Sequence, residues 1–509
     1  MGVASNNKRI LLNTFYLYGR MLLLMLVSLF TVREIFNALG VVDYGLYNVV
    51  AGIVVLFSFL SNTMLGASQR FFSYDIGKND IVKLKRTFSV TLSIYFFIAF
   101  VVLILAETLG VWFLNHKMNI PENRLYASNW VYQFSIISFI VSILTIPYTA
   151  LLVAHEKLKF YAYLGILEAI LKLLIVYLLL IVAMDRLILY GGLLLGVTLI
   201  NSLIYFLICK KKFPESNYSF IWDKEYFKEL LSFSGWNLFG AFAGVLNNQG
   251  INILLNMFFG AVLNSARAIA IQINSVLNLF VSNLMLSVRP QITKYYAQDD
   301  RNNMLKLVFQ SSKIGFYLLT FLSIPILLNA ELIIKLWLGN VQEYVVLFVR
   351  ITILTTLIDS ISYPLMTAAQ ATGNVKRYQI IVGGFLLLNV PVTYTFYKIG
   401  YPPEYGLYVI MVTSTICLFF RLVLLKSLIS LPILTFAKEV LLRCLLVFTF
   451  VSLPLLYFKN YFSDNVIGLF SFSFVAILFS IFIILLMGLS SDEKNILINV
   501  VKSKILKKV

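Results

Sequence analysis

The chain is dominated by apolar segments that are long enough to cross a bilayer. A helix needs about 20 apolar residues to span the hydrocarbon, and the 509 residues contain about fourteen such segments. They lie near residues 10–34, 44–69, 87–114, 126–153, 159–183, 186–209, 233–257, 261–288, 306–329, 343–371, 377–398, 404–428, 433–457 and 465–488. The longest hydrophilic connection, from Lys210 to Lys228, is too small for a catalytic domain. We therefore predict an all-α membrane protein with about fourteen transmembrane helices.

The charge balance agrees with a lipid environment and excludes a large soluble fold. The chain is 60% hydrophobic and only 13% charged, whereas soluble domains are about 25% charged. Its net charge of +18 comes from short Lys and Arg clusters between apolar segments. Because no folded basic domain is present to hold a duplex, the positive charge indicates membrane orientation and not nucleic-acid binding.

The basic clusters recur after every second apolar segment. They occur at the N-terminus, after the second, fourth, sixth, eighth and tenth segments, and in the tail, and they include Lys8, Arg9, Lys83, Lys85, Arg86, Lys157, Lys210, Lys211, Lys212, Lys294, Arg301, Lys376 and Arg377. The alternate connections are poor in Lys and Arg. By the positive-inside rule, both termini are predicted to be cytoplasmic.

The polar motifs of an enzyme or a metal protein are absent from the sequence. Cys209, Cys417 and Cys444 lie in or beside apolar segments without metal or redox spacing, and His116 and His155 share no motif with them. There is no Gly-rich phosphate loop, Walker motif or catalytic carboxylate pair. We therefore expect no metal, no cofactor and no enzymatic activity, and transport that is not driven by ATP bound to this chain.

The two halves of the chain resemble each other. Asn37 to Gly40 matches Asn256 to Gly260, and three further short motifs recur in the same order at an offset of about 220 residues, as in duplicated transporters. The repeat predicts an N-terminal six-helix lobe at 1–210 and a C-terminal six-helix lobe at 211–430. It leaves two extra helices at 431–490 and a basic cytoplasmic tail at 491–509. The tail is either an amphipathic helix on the inner leaflet or a frayed basic end.

Polar residues form stripes inside several predicted spans. Asn13, Tyr16 and Arg20 fall on one face of the first span. Comparable asparagines in the second, seventh and eighth spans are Asn48, Asn62, Asn248, Asn252, Asn274 and Asn278. These faces predict a wet cavity between the two halves. In the alternative interpretation, Asn and Ser side chains join helices by hydrogen bonds.

The deepest charges of the predicted cavity are cationic. They are Arg20 and Arg267, with Arg70 and Arg289 nearer the cytoplasm. A charge at the bilayer centre costs about 2.5–3.5 kcal/mol, so such residues usually face a cavity or a partner. Because the guanidinium fork suits phosphate oxygens and amides suit sugar hydroxyls, the pattern favours an anionic glycoconjugate as substrate.

The acidic residues within the spans are few. Glu168 lies one turn before Lys172, which predicts mutual neutralisation, with ion coupling as the less favoured alternative. Asp359 lacks an obvious partner in its own span, which makes it the better candidate for ion coupling. Glu34 and Asp43 lie at the predicted outer mouth, where they either gate the cavity or line the interface.

The order of motifs near the N-terminus resembles a known family. A first span ending in Asn37 to Gly40 is followed by Asp43 to Asn48 and by a second span that closes on Arg70 to Phe72 and a short basic loop. This order is similar to Wzx-type flippases of O-antigens and lipid-linked oligosaccharides. They belong to the polysaccharide transporter family of the multidrug/oligosaccharidyl-lipid/polysaccharide (MOP) exporter superfamily, which also contains MATE drug exporters and lipid II flippases.

The resemblance implies a MATE-like V of two six-helix lobes with two peripheral C-terminal helices in the bacterial inner membrane. It implies that an undecaprenyl-diphosphate-linked oligosaccharide, the repeat unit of an O-antigen, capsule or exopolysaccharide, is translocated by alternating access. Related flippases use arginines in the first and eighth spans for the diphosphate, and Arg20 and Arg267 lie at comparable places. The polymerase and chain-length proteins of the same pathway are the expected partners, beside membrane lipid.

Three other functions are weighed against this one. A MATE-like ion-coupled drug exporter predicts a buried carboxylate pair in the N-terminal lobe, whereas the sequence offers Glu168 with Lys172. A lipid II-type flippase is a second alternative. A membrane polymerase or ligase needs a larger outer loop than those near 115–125 and 330–343.

Overall fold

A computed structural model describes residues 3–78, 80–155, 157–221, 224–490 and 493–494. Side chains are described in these ranges apart from residues 3–24, 61–63, 66–67, 70, 74, 77, 158–159, 161–162, 225–234, 237, 286–287 and 290. This part of the chain contains helices and no strand, which confirms the predicted all-α class.

The described residues of the first half of the chain contain eight α-helices. They are α1 (Val3–Val55), α2 (Phe59–Gly77), α3 (Ile81–Leu105), α4 (Val111–His116), α5 (Glu122–Ala154), α6 (Leu158–Ile181), α7 (Arg186–Lys212) and α8 (Lys224–Phe259). A π-helical turn, Ala106–Gly110, joins α3 to α4, so the two form one long membrane-crossing element.

The described residues of the second half contain nine further α-helices. They are α9 (Ala261–Ala297), α10 (Arg301–Leu328), α11 (Ala330–Leu338), α12 (Val345–Ala371), α13 (Lys376–Ile399), α14 (Tyr405–Ile429), α15 (Ile433–Phe436), α16 (Arg443–Phe458) and α17 (Val466–Ile483). A π-helical turn at Ala437–Leu442 continues α15 into α16, and another, Ile484–Gly488, ends α17.

Thirteen helical elements of the described residues are long and apolar enough to cross a membrane, against about fourteen predicted. The difference lies near the N-terminus, where α1 covers the first predicted segment and the beginning of the second, and residues 25–58 count as one element. Gly40 interrupts its helical geometry, with φ 77° and ψ 174°. Gly260, its counterpart in the repeat, has φ 82° between α8 and α9. Only glycine adopts such positive φ values readily.

The chain forms two compact units. Unit 1 comprises Met1–Ala268 and Leu386–Gly406. Within it α5 is central and packs against α7, α2 and α1. Gly191 lets α7 approach α5 closely, since a Cβ atom there would lie 3.2 Å from Val131 and Phe134. This close packing fixes the relative positions of α5 and α7.

Unit 2 comprises Ile269–Phe385 and Leu407–Val509. Its centre is α10, which packs against α12, α16 and α17. The last two spans are fastened to α10 by the Tyr317 hydroxyl, which donates to the Gly488 carbonyl at 3.0 Å, and by the buried Lys313, which pairs with Glu493 at 2.8 Å. The lobe boundaries expected from the repeat stay a prediction.

Candidate functional site

Unit 1 contains a polar cavity of about 520 Å³ within its membrane-spanning helices. Its walls come from α1, α5, α6 and α7, and its volume lies within the range of about 300–1,000 Å³ that is usual for small-molecule sites. Seven hydroxyl-bearing Ser and Thr side chains line it: Ser135, Ser138, Ser142, Thr145, Thr149, Thr198 and Ser202. Hydroxyl groups do not improve the packing of an apolar core, so their number makes this cavity the strongest candidate for a ligand site.

The hydroxyl lining arises from one face of α5. Ser135, Ser138, Ser142, Thr145 and Thr149 are spaced by three and four residues, which places them on a single helical stripe. Four of them donate their hydroxyl proton to the backbone carbonyl one turn earlier, at 2.7–3.3 Å. The proton is then committed to the helix, while the lone pairs of the oxygen remain to accept hydrogen bonds.

A charged pair lies at the side of the cavity that α6 forms. The Lys172 ammonium is 2.7 Å from the Glu168 carboxylate, one turn away on the same helix, so the ion pair expected from the sequence is present. Asn201 of α7 donates to the other Glu168 oxygen at 3.4 Å. The side-chain oxygen of Asn201, Oδ1, is buried and has no hydrogen-bond partner among the residues that the structure describes. The pair also borders a neighbouring cavity of about 410 Å³.

Arg267 lies in the first turns of α9 and is buried, with 4% of its surface exposed. It interacts electrostatically with Tyr397 of α13. Burying a charged guanidinium within a membrane span is energetically costly, so such a residue is a candidate for a functional role. In this conformation, however, a ligand reaches Arg267 only after the surrounding helices move.

Several predicted cavity asparagines of unit 1 join helices. Asn264 donates to the carbonyl and side-chain oxygens of Asn252 at 2.7 and 2.8 Å, and Asn252 donates to the Asn48 carbonyl at 3.5 Å. Asn48 itself donates to the Tyr44 carbonyl at 2.7 Å. For Asn252 this geometry fits the alternative of helix joining. The Asn48 side chain bonds within its own helix, and Asn248 is exposed.

The predicted polar residues of unit 2 form a second cluster. Thr356 donates to Asn274, and Tyr363 donates to Asn278 at 3.2 Å, so α12 and α9 are joined by hydrogen bonds. The partner of Asp359 lies on another helix: Asp359 of α12 interacts electrostatically with Arg421 of α14. Arg421 is buried and donates through Nε to the Tyr378 hydroxyl at 3.0 Å. Its Nη1 is buried without a hydrogen-bond partner among the described residues.

Asp43 belongs to an ion-pair cluster that joins three helices of unit 1. Arg124 of α5 donates through Nε to Asp43 at 2.8 Å and through Nη2 to Asp185 at 3.2 Å. Although burial alone would raise it, hydrogen bonds from Arg124 and from the backbone at Leu187 and Ile188 hold the pKa of Asp185 below its usual value. This cluster fastens α1 to the start of α5 and of α7.

The remaining predicted site residues are placed as follows. Glu34 lies 3.9 Å from Arg33, its neighbour along the chain, and Arg289 is exposed. The side chains of Asn13, Tyr16, Arg20, Asn62 and Arg70 lie outside the described residues, as does nearly all of the basic tail. In the described part of the chain, no group of three His, Cys, Asp or Glu side chains is arranged to hold a metal ion.

Two features of these sites were missed at the level of sequence. The α5 stripe was detectable, because Ser and Thr at spacings of three and four in an otherwise apolar span are themselves a periodic signal. The proximity of Arg421 to Asp359 was not, because the two residues lie in different helices and no local spacing relates them.

Comparisons with known proteins identify the fold. A family model described as MatE matches residues 241–395. Among solved structures, an inward-facing multidrug resistance MATE family transporter of the MOP superfamily is similar with a TM-score of 0.65 and 14% identity, covering 79% of this chain and 94% of that one. The chain has a MATE-like fold.

Two further structures share this MATE-like fold. The lipid II flippase MurJ, in an inward closed conformation, is similar with a TM-score of 0.65 and 16% identity, covering 92% of this chain and 97% of that one. A MOP superfamily transporter from Pyrococcus furiosus has a TM-score of 0.54 and 13% identity, covering 81% and 93%. No curated protein matches the chain.

Proposed function

We propose that the protein is a flippase that moves an undecaprenyl-diphosphate-linked oligosaccharide across the bacterial inner membrane. The observation that carries this proposal is the cavity of unit 1, which is rich in hydroxyls and balanced in charge inside a MATE-like fold. An uncharged, hydroxylated ligand suits such a lining better than a hydrophobic cation does. The protein would act as a transporter and not as an enzyme.

The diphosphate would dock on arginines. Arg267 is the described candidate, and its burial means that it would become accessible only in another conformation. Arg20 completes the pair expected from the family resemblance, with Arg70 and Arg289 as further cations along the route. Alternating access then follows from a shift in population between conformations that differ in their affinity for the head group.

Energy for directed transport would come from an ion gradient or the membrane potential. Asp359 is the preferred coupling residue, because it interacts electrostatically with the buried Arg421 of α14, so that a change in its charge would act on a second helix. Glu168 ranks second, because Lys172 already neutralises it. With both termini cytoplasmic, the pathway's polymerase and chain-length proteins would receive the product on the opposite side.

A MATE-like drug exporter is the second candidate, and the MatE match over residues 241–395 favours it. It is distinguished by its substrate. A drug exporter would lower the accumulation of cationic dyes in cells, and its activity would not depend on the synthesis of any surface polymer.

The proposal is tested in cells whose own flippase is deleted. Arg20 and Arg267 are replaced singly and together by Ala and by Lys, and surface polysaccharide is measured alongside the amount of protein in the membrane. We expect the Ala variants to abolish the polymer, because a phosphate contact is lost, and Lys to restore only part of it, because an ammonium cannot bind two oxygens through a fork.

The exposed Arg350 provides the matched control, since Arg350→Ala removes a charge from unit 2 without touching the predicted docking residues. Normal polymer in both Ala variants at normal protein level would show that the two arginines are structural. Failure of the wild-type chain to restore any polymer, combined with efflux of a cationic dye, would replace the flippase with the drug exporter.

A further inference from the structure

The polar cavity of unit 1 presents mainly hydrogen-bond acceptors. The hydroxyls of Ser135, Ser142 and Thr145 donate their protons to backbone carbonyls and turn lone pairs toward the cavity. The carboxylate of Glu168 and the buried, unpartnered Oδ1 of Asn201 add two more acceptors. A buried acceptor without a partner is costly, so the wall favours a ligand that brings several donors.

The same cavity has aromatic walls. Tyr47, Phe134, Phe139 and Tyr205 line it beside the hydroxyl stripe. Aromatic rings pack well against flat apolar surfaces, and the two tyrosines also offer a polar edge. The matching ligand therefore has apolar faces and a rim of hydroxyl groups, which is the description of a sugar ring.

The net charge of the lining discriminates between ligand classes. The Glu168 carboxylate and the Lys172 ammonium are paired at 2.7 Å, so together they leave the cavity neutral. A cationic ligand would be repelled by the Lys172 ammonium, and a diphosphate would be repelled by the Glu168 carboxylate. An uncharged polyol avoids both repulsions and can hydrogen-bond to each partner of the pair.

We propose that this cavity, formed by α1, α5, α6 and α7, is the saccharide-binding subsite, and that the Ser–Thr stripe of α5 and Asn201 select the glycan. The inference rests on the proposed flippase function. It separates the glycan site from the arginines expected to hold the diphosphate, and it places the glycan on residues other than the asparagines singled out in the sequence. The cavity's volume of about 520 Å³ accommodates a small-molecule-sized head group.

Protection of an introduced thiol tests the subsite in the full-length protein. Ser142 is exposed to the cavity, and the three natural cysteines are buried, so Ser142→Cys adds one reactive thiol. The purified variant is labelled with a maleimide in the presence of two probes. One is the lipid-linked oligosaccharide extracted from cells that lack a flippase, and the other is undecaprenyl diphosphate without sugar.

We expect the glycolipid to slow labelling at least tenfold and the bare lipid to leave the rate unchanged. Ile137→Cys is the matched control, because Ile137 is exposed on another face of α5 and does not line the cavity. In the Ser142→Cys background, Asn201→Leu removes one buried acceptor and should raise the half-protecting glycolipid concentration about three- to tenfold. Thr149→Cys repeats the measurement if Ser142→Cys does not fold.

Equal protection by both probes would overturn the subsite, since the cavity would then recognise the lipid or the phosphates. Absence of protection by either probe would also overturn it. The proposed function is judged separately, by whether the wild-type chain and the Ile137→Cys variant, which does not line the cavity, restore polymer in flippase-deleted cells. If these chains restore polymer while the glycolipid does not protect Ser142→Cys, the subsite is refuted and the flippase function stands.

Discussion

Arg124 is the residue whose loss should destabilise unit 1 most clearly. It bridges Asp43 on α1 and Asp185 before α7, with side chains that are 20%, 17% and 34% exposed. Arg124→Gln breaks both ion pairs and leaves two carboxylates facing an uncharged amide. Asp185 retains the backbone N–H groups of Leu187 and Ile188, at 3.0 and 3.1 Å, so part of its stabilisation survives.

The magnitude follows from the partial burial of the cluster. An exposed ion pair contributes about 0–1 kcal/mol, whereas breaking a buried one costs about 3–5 kcal/mol. Because Asp43 is mostly buried and Asp185 is about one-third exposed, we expect Arg124→Gln to lower the unfolding free energy by about 2–3 kcal/mol. In a background that already carries Asp43→Asn and Asp185→Asn, Arg124→Gln should lower the unfolding free energy by much less, because its two ionic partners are gone.

Thermal unfolding of the purified protein in detergent measures this effect. A dye that fluoresces on reacting with thiols reports unfolding, because Cys209, Cys417 and Cys444 are all buried in the folded protein. Arg377→Gln is the control and should melt like the wild type, because the Arg377 side chain is exposed. An unchanged melting temperature for Arg124→Gln, or a full additive effect in the carboxylate double-variant background, would refute the assignment of a stabilising cluster.

The pH dependence of the same melts provides an independent check. The pKa of Asp185 is held below its ordinary 3.8, so its ion pair stabilises the folded state fully above pH 3.8 and loses that contribution as the pH falls through the lower folded value. The difference in stability between wild type and Arg124→Gln should therefore be constant near neutral pH and should narrow on acidification, as the carboxylates of Asp43 and Asp185 take up protons. A difference that grows on acidification would contradict this reasoning.

Three further predictions concern other parts of the chain. Glu493→Ala leaves the ammonium of Lys313, which is 3% exposed, without its carboxylate, and should destabilise unit 2 by about 3–5 kcal/mol in the same thiol assay. Asp359→Asn and Arg421→Gln should each reduce the amount of folded protein in the membrane, and combining them should recover part of it, because the double variant buries no unbalanced charge. Gly110→Ala would place a Cβ atom 1.8 Å from the hydroxyl of Tyr132. We expect this variant to lower the melting temperature, because the clash disrupts the hydrogen bond from Tyr132 to the Ala106 carbonyl at the π-helical turn.

The fold was predictable to the extent that it depends on segment length and polarity. The apolar segments gave the helical class and nearly the number of spans, because the bilayer imposes a minimum helix length on any sequence that crosses it. A turn between the first two spans was also expected, beside Asn37 to Gly40. The sequence did not show that the non-helical φ and ψ of Gly40 alone would make this turn, with helix continuing on both sides of it.

The candidate site was less predictable, because its geometry depends on packing between helices. The pairing of Glu168 with Lys172 follows from helical spacing alone and was anticipated. Arg124 was not singled out in the sequence, since its two partners lie on other helices and no local spacing relates them to it. The sequence analysis selected asparagines because they are polar residues within apolar spans. In the structure Asn252 accepts a hydrogen bond from a neighbouring helix, and the smaller Ser and Thr residues line the cavity.

The paired glycine breaks have a consequence for how such a chain evolves. Gly40 and Gly260 occupy matching places in the two halves and adopt φ values of 77° and 82°. At such a position almost every mutation meets the same steric penalty whatever the ligand, because the constraint lies in the backbone. A side chain that contacts a substrate can be replaced when the substrate changes, whereas a glycine with such a φ value can be replaced only at the cost of backbone strain. The repeat predicted from the sequence should therefore align most closely at these two glycines.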